Sequence, residues 1–159
     1  MPENQNEERD DYDEEMRALR QAILGDDTFD FSNYDATKTG TNEANTDRIM
    51  DFVTGSDKFQ ANILDNASPE YTEVANPNVT SVEDAIALAN QQNLFAGPGG
   101  SFNDYIFIAG AAHGYLIVNV NNNGSFDAGT DYAVVLQDHN TLGSFGPGDI
   151  LSGHPVSPP

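Results

Sequence analysis

The chain has 159 residues, of which 26 are acidic and 6 are basic, and its formal net charge at pH 7 is −20. This balance excludes a nucleic-acid partner, because phosphate binding needs clustered lysines and arginines, and it suits metal cations or a solvated acidic surface. The sequence has no cysteine for disulfides or thiolate metal sites, and no apolar run long enough to predict a membrane span.

Residues 1–25 are predicted to be an acidic N-terminal segment that contains a short helix. Apolar side chains recur at helical spacing within residues 13–24, and Gly25 follows at the position of a C-cap. This segment can bury too little apolar surface to offset its ordering entropy on its own. It must therefore dock on the body of its own chain or on another subunit, and we expect a neighbouring copy, which would make the protein a homo-oligomer.

Residues 26–151 are predicted to form one mainly β domain, a β-sandwich or a β-roll-like fold. Short alternating runs and runs rich in isoleucine, valine and aromatic residues are typical of strands. The turn sequence TGSD at residues 54–57 predicts that the second and third strands form a hairpin. The predicted strands are residues 28–31, 48–53, 58–64, 104–109, 115–120 and 132–136.

One well-formed helix is predicted within this domain, over residues 81–92. Thr80 or Ser81 provides an N-cap, and Glu83 or Asp84 stands in the first turn. The tail at residues 152–159 is rich in proline and should be extended. The predicted core of the domain consists of Phe29, Phe31, Ile49, Phe52, Phe59, Ile63, Ile86, Ile106, Phe107, Leu116, Val118, Val134 and Leu136.

The sequence NVNNNGSFDAGTD at residues 119–131 predicts a calcium-binding loop between two strands. Oxygen-bearing side chains occupy loop positions 1, 3, 5 and 9, and a glycine stands at position 6. Calcium is a hard cation that takes six to eight oxygen ligands, and this alternation directs successive side chains to one centre. The candidate ligands are Asn119, Asn121, Asn123, Ser125, Asp127 and Asp131.

This loop departs from an EF-hand, because position 12 is Thr130 where an EF-hand has a bidentate glutamate. Its low charge predicts a modest affinity. The alternative is an ordinary Asn-Gly hairpin turn, although two to five residues would suffice for one.

A second acidic set, Asp47, Asp51 and Asp57, lies on both sides of the predicted hairpin turn. Two strands joined by a tight turn would bring these carboxylates together, along with Asp27 or Asp30 from the neighbouring strand. The set is therefore a second candidate calcium site. The alternative is that these aspartates are solvated ends of strands.

Five sequence blocks, in this order, resemble the C-terminal region of calcium-binding RTX proteins and of related bacterial surface adhesins exported by type I secretion. The resemblance covers residues 26–151. The glycine-rich nonapeptide repeats that precede this region in the family do not occur in this sequence. The blocks are DTFDF at 27–31, TDRIMDFVTGSDKF at 46–59, SVEDAIALA at 81–89, NDYIFIAG at 103–110 and YLIVNVNNNGSFDAGTD at 115–131.

The resemblance implies a β-sandwich or β-roll end domain, calcium-dependent folding, an extracellular or cell-surface location and export without an N-terminal signal peptide. On this basis the 47–57 aspartates correspond to the family's first acidic hairpin, and residues 119–131 correspond to its second loop. The proline-rich end of the chain departs from the apolar end typical of a type I secretion signal.

The function that we expect is that of an extracellular, calcium-binding structural protein that self-assembles into a filament or a surface layer. The alternative is a calcium-dependent adhesin that recognises a surface or a glycan. We do not expect an enzyme, because the three histidines lie far apart and no H-E-x-x-H or G-x-S-x-G motif occurs. Asn78, in the triplet NVT, is the best glycosylation candidate.

Overall fold

A computed structural model describes residues 26–31, 40–61, 63 and 70–151 of the chain. The predicted N-terminal helix and the proline-rich tail lie outside these residues. Within them, the strands are β1 (Thr28–Phe31), β2 (Arg48–Ile49), β3 (Lys58–Ala61), β4 (Tyr71–Ala75), β5 (Tyr105–Ala109), β6 (Gly114–Val118) and β7 (Tyr132–Leu136). The α-helix, α1, is Val82–Gln91, and two 3₁₀ turns are Pro98–Gly100 and Pro147–Asp149.

The strands form two sheets, which confirms the prediction of a mainly β fold. The larger sheet has the order β2-β7-β6-β5-β4, and the smaller consists of β1 and β3 in parallel. The β5–β6 and β6–β7 pairs are antiparallel, whereas β2 and β4 run parallel to their neighbours at the two edges. Helix α1 connects the parallel strands β4 and β5, so that the three elements make a β-α-β unit.

The larger sheet is buried on both faces, because a different core lies against each face. On one face, Phe107, Leu116 and Val134 pack with β3 of the small sheet and with Phe145. On the other face, Ile108 and Ile117 pack with the apolar side of α1. Every residue of β5, β6 and β7 is consequently buried. The two sheets make a sandwich around the first core, and α1 covers the outer face of the larger sheet.

Helix α1 begins where its sequence predicts, at the N-cap Ser81, whose side chain accepts the N–H of Asp84 at 3.1 Å. A second cap comes from the chain before β2: Glu43 Oε2 accepts the N–H of Val82 at 2.9 Å. Glu43 Oε1 is bound by Arg48 at 2.7 Å. A carboxylate near the first turn also stabilises the helix through its dipole. In the described ranges, no helix has the length and hydrophobicity needed to cross a membrane.

Two expectations about strands are wrong. The hairpin predicted across residues 48–64 does not form, because β2 pairs with β7 in the large sheet and β3 pairs with β1 in the small one. The strand predicted at residues 48–53 is correspondingly short, since the chain leaves the large sheet after Ile49 to change sheets. Strand β4 has no counterpart in the prediction: its sequence, YTEVA, is half-exposed and polar.

Candidate functional site

The loop at residues 119–131 joins β6 to β7 and lies beside the end of α1. The N–H of Phe126 donates to Asn90 Oδ1, at 3.1 Å, on the last turn of the helix. Gly124 is placed against the ring of Phe102, where a Cβ atom would lie 3.3 Å from the ring. Asn122 has a positive φ of 52°, which asparagine tolerates better than most residues. The loop is thus fixed to the body of the domain.

Asn119 forms the floor of this loop and is completely buried. Its Nδ2 donates to the carbonyl oxygens of Asn103 and Asn123, at 2.9 and 2.8 Å, and its Oδ1 accepts the N–H of Asn123 at 3.2 Å. Its amide therefore closes the loop and attaches it to Asn103, just before β5.

Asp131 closes the other end of the loop and is also completely buried. Its Oδ1 accepts the N–H of Val120 and its Oδ2 accepts that of Asp127, both at 2.8 Å. Burial raises the pKa of Asp131, and the backbone N–H bonds oppose that effect. Its carboxylate joins the two ends of the loop.

Three further side chains converge above this floor. Asn121 Nδ2 donates to Asp127 Oδ2 at 2.7 Å, and Asn123 Nδ2 donates to the same oxygen. These bonds from Asn123 and Asn121 lower the pKa of Asp127, so that its carboxylate is charged at neutral pH. Asn121 Oδ1 is buried and has no hydrogen-bond partner among the described residues. A buried acceptor without a donor is costly, and this one lies beside a charged carboxylate.

Ser125 is exposed, and its backbone N–H donates to Asn123 Oδ1 at 3.0 Å. Of the six predicted ligands, the loop therefore brings three side chains together, Asn121, Asn123 and Asp127. Asn119 and Asp131 serve the loop backbone. Two of these side chains, Asn121 and Asn123, turn their NH₂ groups to the Asp127 carboxylate, and Asn123 Oδ1 already accepts the N–H of Ser125. The oxygens available to a hard cation such as calcium are therefore those of Asp127 and the unpartnered Oδ1 of Asn121, and Asn123 would join them only with its amide turned over.

The second acidic set does not form a comparable cluster. Asp57 is completely buried and accepts the N–H of Asp27 at Oδ1 (3.0 Å) and that of Val53 at Oδ2 (2.8 Å). Asp47 is exposed and Asp51 is half-buried. Nowhere in residues 26–31, 40–61, 63 and 70–151 do three histidine, aspartate or glutamate side chains lie together as a metal-holding group. Because the expected hairpin is absent, a calcium site at this set has no geometric support.

Two buried aspartates that sequence reasoning did not select have roles similar to that of Asp57. Asp104 Oδ2 accepts the N–H of Glu70, and its Oδ1 accepts from Asn122 Nδ2, which links the loop at residues 119–131 to the residue before β4. Asp149 accepts from Thr54 Oγ1 at 2.6 Å and from the N–H of Gly55 at 2.7 Å. The only local signal for either is an aspartate beside a strand or a glycine turn.

Asn78 is exposed in the turn between β4 and α1, and its N–H donates to Asn76 Oδ1 at 2.9 Å. The hydroxyl of Thr80, the third residue of the triplet, donates to Asp84. The surface position is what a glycosylation acceptor requires, and the modification itself stays a prediction.

Comparison with known proteins adds no relative: no protein-family model, curated protein or solved structure matches the chain. The resemblance to RTX proteins therefore stays a prediction.

Proposed function

We propose that this chain is an extracellular calcium-binding structural protein that self-assembles. The observation that carries the calcium part of the proposal is the convergence of Asn121 and Asn123 on the charged carboxylate of Asp127, beside the unpartnered Asn121 oxygen. A bound calcium ion would replace the two amide NH₂ groups as the partner of the Asp127 carboxylate and would take the Asn121 oxygen as a second ligand. It would also fasten the β6–β7 connection without a disulfide.

The charges of the body support a role for cations. Arg48 and Lys58 are the only arginine and lysine in the described residues, and both are engaged, with Glu43 and with the carbonyl oxygen of Gly148. Copies of such an acidic body repel one another. Calcium between acidic faces would relieve that repulsion during assembly.

The outer edge of β4 supports assembly by strand addition. Asn76 N–H donates to Ala109 and Tyr105 N–H donates to Glu70, so alternate residues of β4 face β5. The backbone groups of the intervening residues point away from the sheet, and no described strand pairs with them. A strand edge whose outer backbone groups pair with no described strand can accept a strand from another chain. In our proposal, that strand comes from the N-terminal segment of a neighbouring copy.

The calcium proposal is tested by thermal unfolding in calcium, in magnesium and in chelator. One site adds about 1.4 kcal/mol at a tenfold excess of calcium over Kd and about 2.7 kcal/mol at a hundredfold excess. Magnesium should add less, because it demands a tighter octahedral shell. Asp127→Asn should abolish the gain. The matched control Asp138→Asn removes the same charge from an exposed residue of the next loop and should keep it.

Self-assembly is tested by light scattering and electron microscopy in calcium, on the full chain and on a chain that lacks residues 1–25. The full chain should assemble and the shortened chain should stay monomeric. Equal assembly of both would eliminate the N-terminal segment as the connector. A full chain that remains monomeric and binds members of a glycan array would favour the adhesin function instead.

A further inference from the structure

The ring of His139 connects two distant parts of the chain. His139 lies in the loop after β7, with Nε2 2.7 Å from the carbonyl oxygen of Phe52 and Nδ1 2.7 Å from that of Ser144. The Phe52 ring meets the imidazole edge-on, with centroids 5.8 Å apart. Both ring nitrogens thus face groups that only accept hydrogen bonds.

This geometry depends on the protonation of the ring. A neutral imidazole has one N–H donor and one acceptor nitrogen, so it can satisfy one carbonyl only. The other nitrogen would then present its lone pair to a carbonyl oxygen at hydrogen-bond distance. An imidazolium has two N–H groups and satisfies both oxygens, with bonds that are stronger because the donor is charged.

We propose that His139 is a proton-dependent latch, which holds the segment that follows β2 against the loop that follows β7 when the ring carries two protons. The latch covers an aromatic cluster: Phe52 and Phe145 are buried, and their rings lie 5.4 Å apart. Deprotonation removes one of the two bonds and loosens the chain over this cluster. The device acts independently of the calcium loop.

The titratable groups on the elements around the ring come from several parts of the chain. They are Asp51 beside Phe52, Glu73 on β4, Asp138 next to the histidine and Asp149, which fastens the turn after Phe52. The nearest basic group is His113, at the start of β6, whose Nδ1 accepts the N–H of Asp138 at 3.2 Å and lies 3.9 Å from its carboxylate. His113 is a matched control for His139, because its Nδ1 accepts a hydrogen bond and a neutral ring satisfies that geometry.

The test compares Tm at pH 5.5 and pH 8 with calcium and salt held constant. Loss of one charge-assisted hydrogen bond in a chain of this size should lower Tm at the higher pH by about 3 to 12 °C. His139→Gln, whose amide does not titrate, should lose most of that difference, whereas His113→Gln should retain it. Equal pH dependence in the unmodified chain and in His139→Gln would overturn the proposal.

If His139→Gln does not fold, the unmodified chain still decides the matter. Nitrogen-15 NMR distinguishes a doubly protonated ring from either neutral tautomer. Both nitrogens of His139 should carry protons at pH 5.5 and only one at pH 8, in step with the change in Tm. A single neutral tautomer of His139 at pH 5.5, with a Tm that does not change up to pH 8, would refute the latch.

Discussion

The buried carboxylate of Asp57 offers a sharp test of whether the second acidic set binds backbone N–H groups or a metal ion. Both oxygens accept backbone N–H groups, from Asp27 at 3.0 Å and from Val53 at 2.8 Å, across a change from one sheet to the other. Asp57→Asn keeps the shape of the side chain but replaces one acceptor with an NH₂ group, which then faces an N–H donor. The substitution should therefore destabilise the fold whether or not calcium is present.

The size of the loss follows from this geometry. A hydrogen bond to a charged group contributes about 1.5 to 3 kcal/mol. Asp57→Asn loses one of the two bonds to the backbone, and its new NH₂ group then faces a backbone N–H group. We expect a loss of about 2 to 3 kcal/mol, which lowers Tm by about 4 to 12 °C in a chain of this length.

The assay is thermal and urea unfolding followed by circular dichroism, in chelator and in excess calcium. Asp51→Asn is the control, because Asp51 belongs to the same segment, is only half-buried and would be an equal partner in a metal site. The account predicts that Asp57→Asn loses stability equally in both solutions and that Asp51→Asn loses little in either. A loss that appears only in calcium, and in both variants, would show that these carboxylates are metal ligands and would refute the reasoning.

Two further predictions concern the core. Burial, and to a smaller extent the charge of Asp104, raise the pKa of the Tyr105 hydroxyl. Above pH 10 this tyrosine therefore ionises first in the unfolded chain, and the free energy of unfolding should fall by up to about 1.4 kcal/mol per pH unit. In urea unfolding at pH 8 to 11, the free energy of unfolding of Tyr105→Phe should fall less steeply with pH. Gly114→Ala would force a Cβ atom into the Phe107 ring and should cost about 1 to 3 kcal/mol in urea unfolding, whereas Gly146→Ala meets no atom within 4 Å and should be neutral.

The sequence predicted the central strands because their composition is unambiguous, but it did not predict how they are covered. The predicted core contained Phe107 and Leu116 on one face and Ile106 on the other, but it omitted Ile108 and Ile117. Those residues are buried because α1 covers the second face of the sheet. That coverage depends on the parallel strand β4, whose half-exposed edge position leaves a weak local signal.

The candidate site was predictable in its residue types and not in the roles of its residues. The spacing of oxygen-bearing side chains identified the loop at residues 119–131. The same spacing does not distinguish a side chain that can bind an ion from one that hydrogen-bonds to the loop backbone. Asn119 and Asp131 are distinguished by burial against Asn103 and Val120, which are contacts made across strands. For the same reason, the sequence could not show that residues 48–49 and 58–61 join different sheets.

The most direct test of the central claim is a crystal structure of the full chain grown in calcium, with anomalous differences recorded. Calcium takes its oxygen ligands at 2.3 to 2.6 Å, so its position is assigned by its own signal and by its ligand distances. The account predicts an anomalous peak at the oxygens of Asn121, Asn123 and Asp127, with none at Asp47, Asp51 and Asp57. An ordered loop with no peak beside Asp127 in saturating calcium would contradict the proposal that this protein is a calcium-binding one.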